Sequence, residues 1–302
     1  MRILFAALLL AVVSAPRAPA QTLRPHPEYV VSTEWLATHL DSPRVVVLHV
    51  GHSDDTYRAR HIPGALYLPI GAVATTVNGV PNEFPAPEQL AATFRDLGVG
   101  DAARIVIYGD DPGLLAARAW VALDLLGLSD RAAILDGGLV RWTAEHRAVE
   151  TTLRTPRPQA FTARWSGERI VSAAWVRAHL GDSAVLFVDA RAPDAYAGDT
   201  SARSGHLPGA VSVYWTNNLV AADDPVLRPM HYLHDELWKP AGADGPSVRT
   251  LVTYCRTGMQ ASHDYFVARY LGLPDVRLYD GSMTEWLSLV PAGDYPVQRS
   301  GR

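Results

Sequence analysis

"LVTYCRTGMQASHDYF", residues 251–266, reads as three consecutive pieces of backbone. Leu251 to Tyr254 have the β-branched, apolar and aromatic composition of a buried strand. Arg256-Thr257-Gly258-Met259-Gln260 is a short loop with one glycine. From Ala261 to Leu271, the apolar residues Phe266, Val267, Tyr270 and Leu271 share a helical face, and Gly272 ends the helix. Between strand and loop stands Cys255, the only cysteine in 302 residues. Strand, loop and helix in that order form the unit of a parallel α/β sheet, where ligands bind beyond the carboxyl ends of the strands.

The unit occurs twice. "IVIYG" at 105–109 matches "LVTYC" at 251–255, and "ILDGG" at 134–138 matches "LYDGS" at 278–282. Further out, "VSTEWLATHL" at 31–40 returns as "VSAAWVRAHL" at 171–180, and "HIPGA" at 61–65 as "HLPGA" at 206–210. Four matches in one order, offset by 140 to 146 residues, mark a duplicated domain with a period too long for a solenoid. Each half opens with a Ser32 or Ser172 N-cap and a short helix, then a buried strand, "RVVVLHV" or "AVLFVDA". Helices are expected near Pro87–Leu97 and His234–Trp238, ahead of the strand quoted first. The expectation is an α/β protein of two tandem domains, 21–150 and 166–302, each a parallel sheet flanked by helices. Residues 151–165, with Pro156 and Pro158, form the linker.

Residues 1–20 carry Arg2, an apolar run from Ile3 to Val13 and the small residues Ala18-Pro19-Ala20. That is the pattern of a secretory signal, so the mature chain is expected outside the cytoplasm, periplasmic or extracellular, with no membrane segment. One cysteine cannot form a disulfide within the chain, so stability must come from packing. The net charge of −4 gives no reason to expect a nucleic acid partner. The eleven histidines show no zinc-ligand spacing, and a lone cysteine excludes multi-cysteine zinc sites.

"YRARHIPGALYL" at 57–68 resembles the N-terminal signature of the rhodanese sulfurtransferases. "VRLYDGSMTEW" at 276–286 is similar to their C-terminal signature, with Met283 where an aromatic is usual. The resemblance covers roughly residues 29–290. It implies two tandem rhodanese-like domains, of which only the second is catalytic, and sulfur transfer from thiosulfate or 3-mercaptopyruvate.

The residues themselves point to related chemistry. A tight loop at a helix N-terminus turns backbone N–H groups toward one point and binds anions. A thiol placed there is expected to ionise, at roughly 3.5–7.5 instead of about 8.5. Arg256 is expected to add positive charge, and Thr257, Gly258, Met259 and Gln260 to supply the contacts to a donor. A thiolate at Cys255 can take the outer sulfur of a small sulfane donor and pass it to cyanide or a thiol, with no metal or organic cofactor. The matching first-half loop, "YGDDPGLLA", has Gly109 for the cysteine, and Asp110 and Asp111 in place of positive charge. It is expected to lack activity and to repel anions.

Asp189 and Arg191, in "FVDARAPDAY", resemble the family's Asp-x-Arg element. They read equally as an anion-orienting arginine with its support and as a structural salt bridge. The further arginine usual in that family segment is Ala195 here. His61 and His206 recur in both halves and are expected to serve the turn. Trp215, His231 and His234 could line the cleft, but isolated aromatics and histidines are more often packing. A cysteine phosphatase would need an arginine six positions after the nucleophile, where Ala261 stands. A non-catalytic module that carries or senses sulfane sulfur or oxidants through Cys255 is the alternative from another class. By charge the loop Cys255-Arg256-Thr257-Gly258 favours thiosulfate, with 3-mercaptopyruvate as the other donor.

Overall fold

The computed structural model describes residues 23–199, 203–221, 224–273 and 275–300. The signal read at residues 1–20 lies outside them. In the first half the strands are β1 (Val30–Val31), β2 (Val45–Gly51), β3 (Leu66–Pro69), β4 (Thr75–Val77), β5 (Val80–Glu83), β6 (Arg104–Gly109) and β7 (Ala132–Leu135). The second half has β8 (Val185–Asp189), β9 (Val211–Ser212), β10 (Leu219–Ala221), β11 (Asp224–Leu227), β12 (Thr250–Tyr254) and β13 (Val276–Leu278). The sheets run β1-β7-β6-β2-β3 and β13-β12-β8-β9, every pairing parallel. Ile170, bridged to Leu278, stands where β1 stands in the first sheet. β4-β5 and β10-β11 are separate two-stranded arms.

The repeated sequences become repeated contacts. The Ser32 and Ser172 hydroxyls accept from the Trp35 and Trp175 amides at 3.0 and 3.2 Å, capping matching helices. His61 Nδ1 meets the Tyr57 carbonyl and its ring stacks on Tyr57; His206 does the same with Tyr196. Tyr108 and Tyr254, ending the central strands, accept from the Ile62 and Leu207 amides of those turns at 3.1 Å each. Both histidines therefore hold turns, as their recurrence in a half without a cysteine implies.

The domains meet along two helices, Leu114–Leu125 and Met259–Tyr270. "LLAARAWVALDL" is apolar nearly all round because it faces its own sheet on one side and the other domain on the opposite side. Trp120 meets Phe266 edge-on at 4.9 Å. Burying a side chain the size of Phe266 contributes about 1.5–3 kcal/mol. Asp124, buried in the first domain, accepts from the Tyr265 hydroxyl at 2.6 Å and from Arg269 at 3.2 Å. The expected linker is not loose: the Gln159 and Arg164 amides donate to the Arg95 and Leu126 carbonyls at 2.9 Å each. Among the described residues no helix is long and apolar enough to cross a membrane.

Two elements differ from expectation. The helix after Cys255 starts at Met259, not Ala261, because Gly258 takes φ +83° and turns the chain directly into it. The segment expected as a helix at His234–Trp238 is a wide π-helical turn, Leu233–Trp238, preceded by Met230–Tyr232.

Candidate active site

β12 delivers Cys255 to the carboxyl edge of the second sheet, next to β8 and Asp189. Its backbone is fixed on both sides. The amide donates to Ser282 Oγ at 3.1 Å, and the carbonyl accepts from the Met283 amide at 3.1 Å. Ser282 in turn donates to the Tyr279 carbonyl at 2.8 Å. The backbone N–H groups of Ala261, Thr257 and Gln260 are directed at the sulfur, which is the expected nest.

The ionisation differs from the sequence expectation. Cys255 is 1 % exposed, and this burial pushes its thiol above the ordinary value of 9. The amides of Ala261, Thr257 and Gln260 pull it down, and the Asp189 carboxylate pushes it further up. Burial wins, so the resting group is the thiol and its proton must leave as the sulfur attacks. The loop composition shows the donors but not the depth at which they sit.

Arg191 is tied to Asp189 through Nε at 2.9 Å and Nη2 at 2.6 Å, and Nη2 also donates to the Gly205 carbonyl at 2.7 Å. The salt bridge left open by the sequence is therefore real. Among the described residues no hydrogen-bond partner is seen for its Nη1 group. Arg256 is exposed, and with Arg191, Ala195, Met283 and Thr284 it lines a cleft of about 780 Å³. Met259, Gln260 and Thr257 are half-buried around the loop. Trp215 packs edge-on against the buried His263 at 5.4 Å. His231 and His234 lie elsewhere, beside Leu23 and Pro25, and His234 faces Asp235 and Asp244.

Several participants were missed by the sequence reading, and they come from the first domain. Arg118, fully buried, spans the interface: Nη1 donates to Asp280 Oδ1 at 2.6 Å and Nη2 to Asp280 Oδ2 at 3.0 Å. It also reaches the Asn82 carbonyl, and Ser262 Oγ at 3.2 Å. Ser262 Oγ donates to the carbonyl of Gly258 in the cysteine loop at 2.8 Å. The Phe84 amide donates to Asp280 Oδ2 at 2.8 Å, and Asn82 Nδ2 to Thr257 Oγ1 at 3.0 Å. Burial, with Asp280 and Glu285 nearby, pushes the adjacent Glu83 carboxyl up to about 7. One signal was available: an arginine in the middle of a largely apolar helix needs a buried partner.

The arrangement is reciprocal. The β10-β11 arm reaches the first domain, where the Leu227 amide donates to Asp136 Oδ1 at 3.0 Å and the Gly137 amide to the Pro225 carbonyl at 3.3 Å. Asp136 and Asp280 are the aspartates of the repeated Asp-Gly turns. Each domain's arm closes the other domain's loop.

Fold and site define a two-domain α/β protein with a single cysteine-loop centre built at the interface. Residues 32–145 and 172–289 each match the rhodanese-like domain model, and the chain belongs to the rhodanese-like family as a tandem pair. It is 33 % identical over 273 residues to a protein of Pseudomonas aeruginosa named a probable 3-mercaptopyruvate sulfurtransferase, across 86 % of this chain and 95 % of that one. A Mycobacterium leprae relative that carries the name thiosulfate sulfurtransferase is 29 % identical over 274 residues, 87 % of this chain and 96 % of its own. The solved 3-mercaptopyruvate sulfotransferase SseA from Escherichia coli superposes with a TM-score of 0.73 at 27 % identity, covering 84 % of this chain and 98 % of that one.

Proposed function

We propose that the protein is a sulfurtransferase that moves sulfane sulfur from thiosulfate to cyanide or a thiol through a persulfide on Cys255. The observation that carries this is the convergence of three amides on the sole cysteine, at the carboxyl end of a parallel strand in a rhodanese-like domain. As the thiol proton leaves, the sulfur attacks the outer sulfur of thiosulfate. The S–S bond breaks, and sulfite departs with its electron pair and takes the thiol proton, leaving as hydrogensulfite. The persulfide anion then lies against the Ala261, Thr257 and Gln260 amides. Cyanide attacks its outer sulfur, thiocyanate leaves, and the Cys255 sulfur is released as thiolate. Arg256 and the Nη1 group of Arg191 supply positive charge toward a dianionic donor, and charge-assisted hydrogen bonds are roughly twice as strong as neutral ones.

3-Mercaptopyruvate is the second reading, favoured by the Thr257 hydroxyl and by the name of the Pseudomonas relative. Thiocyanate formation from each donor decides between them. The expected result is higher kcat/KM with thiosulfate, and Arg256→Gly raising KM for thiosulfate more than for 3-mercaptopyruvate. Far better turnover of 3-mercaptopyruvate would overturn the donor assignment. A single sulfur loaded without turnover would instead mark a carrier or sensor.

A further inference from the structure

We propose that Asn82, in the first domain, is a positioning residue that aims the Thr257 hydroxyl of the catalytic loop at the bound anion. The inference rests on the sulfurtransferase reading and adds to it a residue outside the catalytic domain.

The geometry is specific. Asn82 Nδ2 donates to Thr257 Oγ1 at 3.0 Å. A hydroxyl has one proton to give and two lone pairs. With a lone pair engaged by Asn82, the Thr257 O–H is left to donate, and an amide donating to it polarises it into a stronger donor. The Thr257 backbone N–H is already directed at the Cys255 sulfur. Hydroxyl and amide of one residue can then face the same negative charge, either a sulfonate oxygen of the donor or the persulfide.

Asn82 is itself held in place. Its φ of +65° lies in the left-handed region, which asparagine tolerates better than most side chains. Its carbonyl accepts from Arg118 Nη2. Two residues on, the Phe84 amide is fixed to Asp280 Oδ2 at 2.8 Å, and its ring lies 3.4 Å beneath the Arg118 guanidinium. The tip of the arm is thus anchored to the second domain independently of the Thr257 contact.

The test is a double-mutant cycle of Asn82→Gly and Thr257→Val, with thiosulfate as donor and thiocyanate as readout. Glycine keeps the left-handed backbone and removes only the amide. Each single variant should raise KM about fivefold to tenfold, the scale of one hydrogen bond, with kcat within about twofold. The double variant should be no worse than the poorer single one. Asn82→Asp should be more damaging than Asn82→Gly, because a carboxylate takes the hydroxyl proton and repels the donor. An unchanged KM in Asn82→Gly, or fully additive losses in the double variant, would overturn the proposal. Intact-protein mass separates this from the underlying reading. One sulfur added to wild type and to every variant at saturating thiosulfate keeps the persulfide mechanism, whatever KM does. No added sulfur in wild type sinks the mechanism itself.

Discussion

The loops after β6 and β12 are copies of one design with opposite contents. In the second domain three amides face the Cys255 sulfur. In the first, the Asp111 carboxylate gathers amides of the corresponding loop and helix start: Gly113 at 3.2 Å, Leu114 at 3.1 Å and Leu115 at 3.1 Å. A Cβ at Gly109 would lie 3.1 Å from Asp111 Oδ1 and 3.1 Å from Leu115 Cβ. Around them the pairings also differ. Asp110 pairs with the buried His49 at 2.5 Å, where the second domain pairs Asp189 with Arg191. The sequence suggested a loop that repels anions. The structure shows one that still binds an anion, but its own. The first loop holds no cysteine, yet its amides still converge, on a neighbouring side chain.

The sharpest way to break the comparison is to exchange the nucleophile. Cys255→Ser should reduce thiocyanate formation to background, because a serine hydroxyl ionises far less readily than a thiol and cannot form a persulfide. Adding Gly109→Cys to that variant should restore nothing, since the Asp111 carboxylate occupies the place where sulfur would sit. A further Asp111→Thr should let the new cysteine take up one sulfur, seen as added mass. Uptake by Gly109→Cys with Asp111 intact would mean that the carboxylate is no plug.

A smaller effect is expected at the joint between the domains. Arg118→Met leaves Asp280 buried without its cation, which should cost about 3–5 kcal/mol of stability. The loss should appear as a lowered unfolding midpoint in denaturant. The surface pair Arg58–Asp54, 2.5 Å apart in the first domain, serves as control, and its removal should cost about 1 kcal/mol or less. Equal losses for the two pairs would show that Arg118 does not join the domains.

The mildest test concerns the thiol. The Cys255 folded pKa is raised, so the reactive thiolate is the minor form at neutral pH. Alkylation should then rise about tenfold per pH unit and inflect above 9. An inflection below about 7.5 would mean that the amides outweigh burial.

The fold was legible because it is written twice. Strand composition, serine caps and the His-x-Pro-Gly-Ala turns recur with their partners, so each half supports the reading of the other. The nucleophile and its loop were legible because one cysteine stood where a strand gives way to a helix. The rest depended on distances that no local pattern encodes. Asp111 was visible as a charge but not as a ligand of its own loop. Asn82 is more than a hundred residues from Thr257 in sequence and touches it only through exchange of the arms. The thiol's ionisation follows from burial, a property of the assembled interface. Arg118 left a trace, as a cation within a largely apolar helix.

The exchanged arms carry an evolutionary consequence. Two separate copies of the single domain, paired by a twofold axis, would have formed two identical pockets, each finished by its neighbour. Once both copies lay in one gene, each pocket could accumulate changes alone. A copy with Gly109 in place of a nucleophile still keeps the arm that serves the other pocket. Selection on the first copy can thus act on Asn82, Phe84 and Arg118 without any chemistry at its own loop.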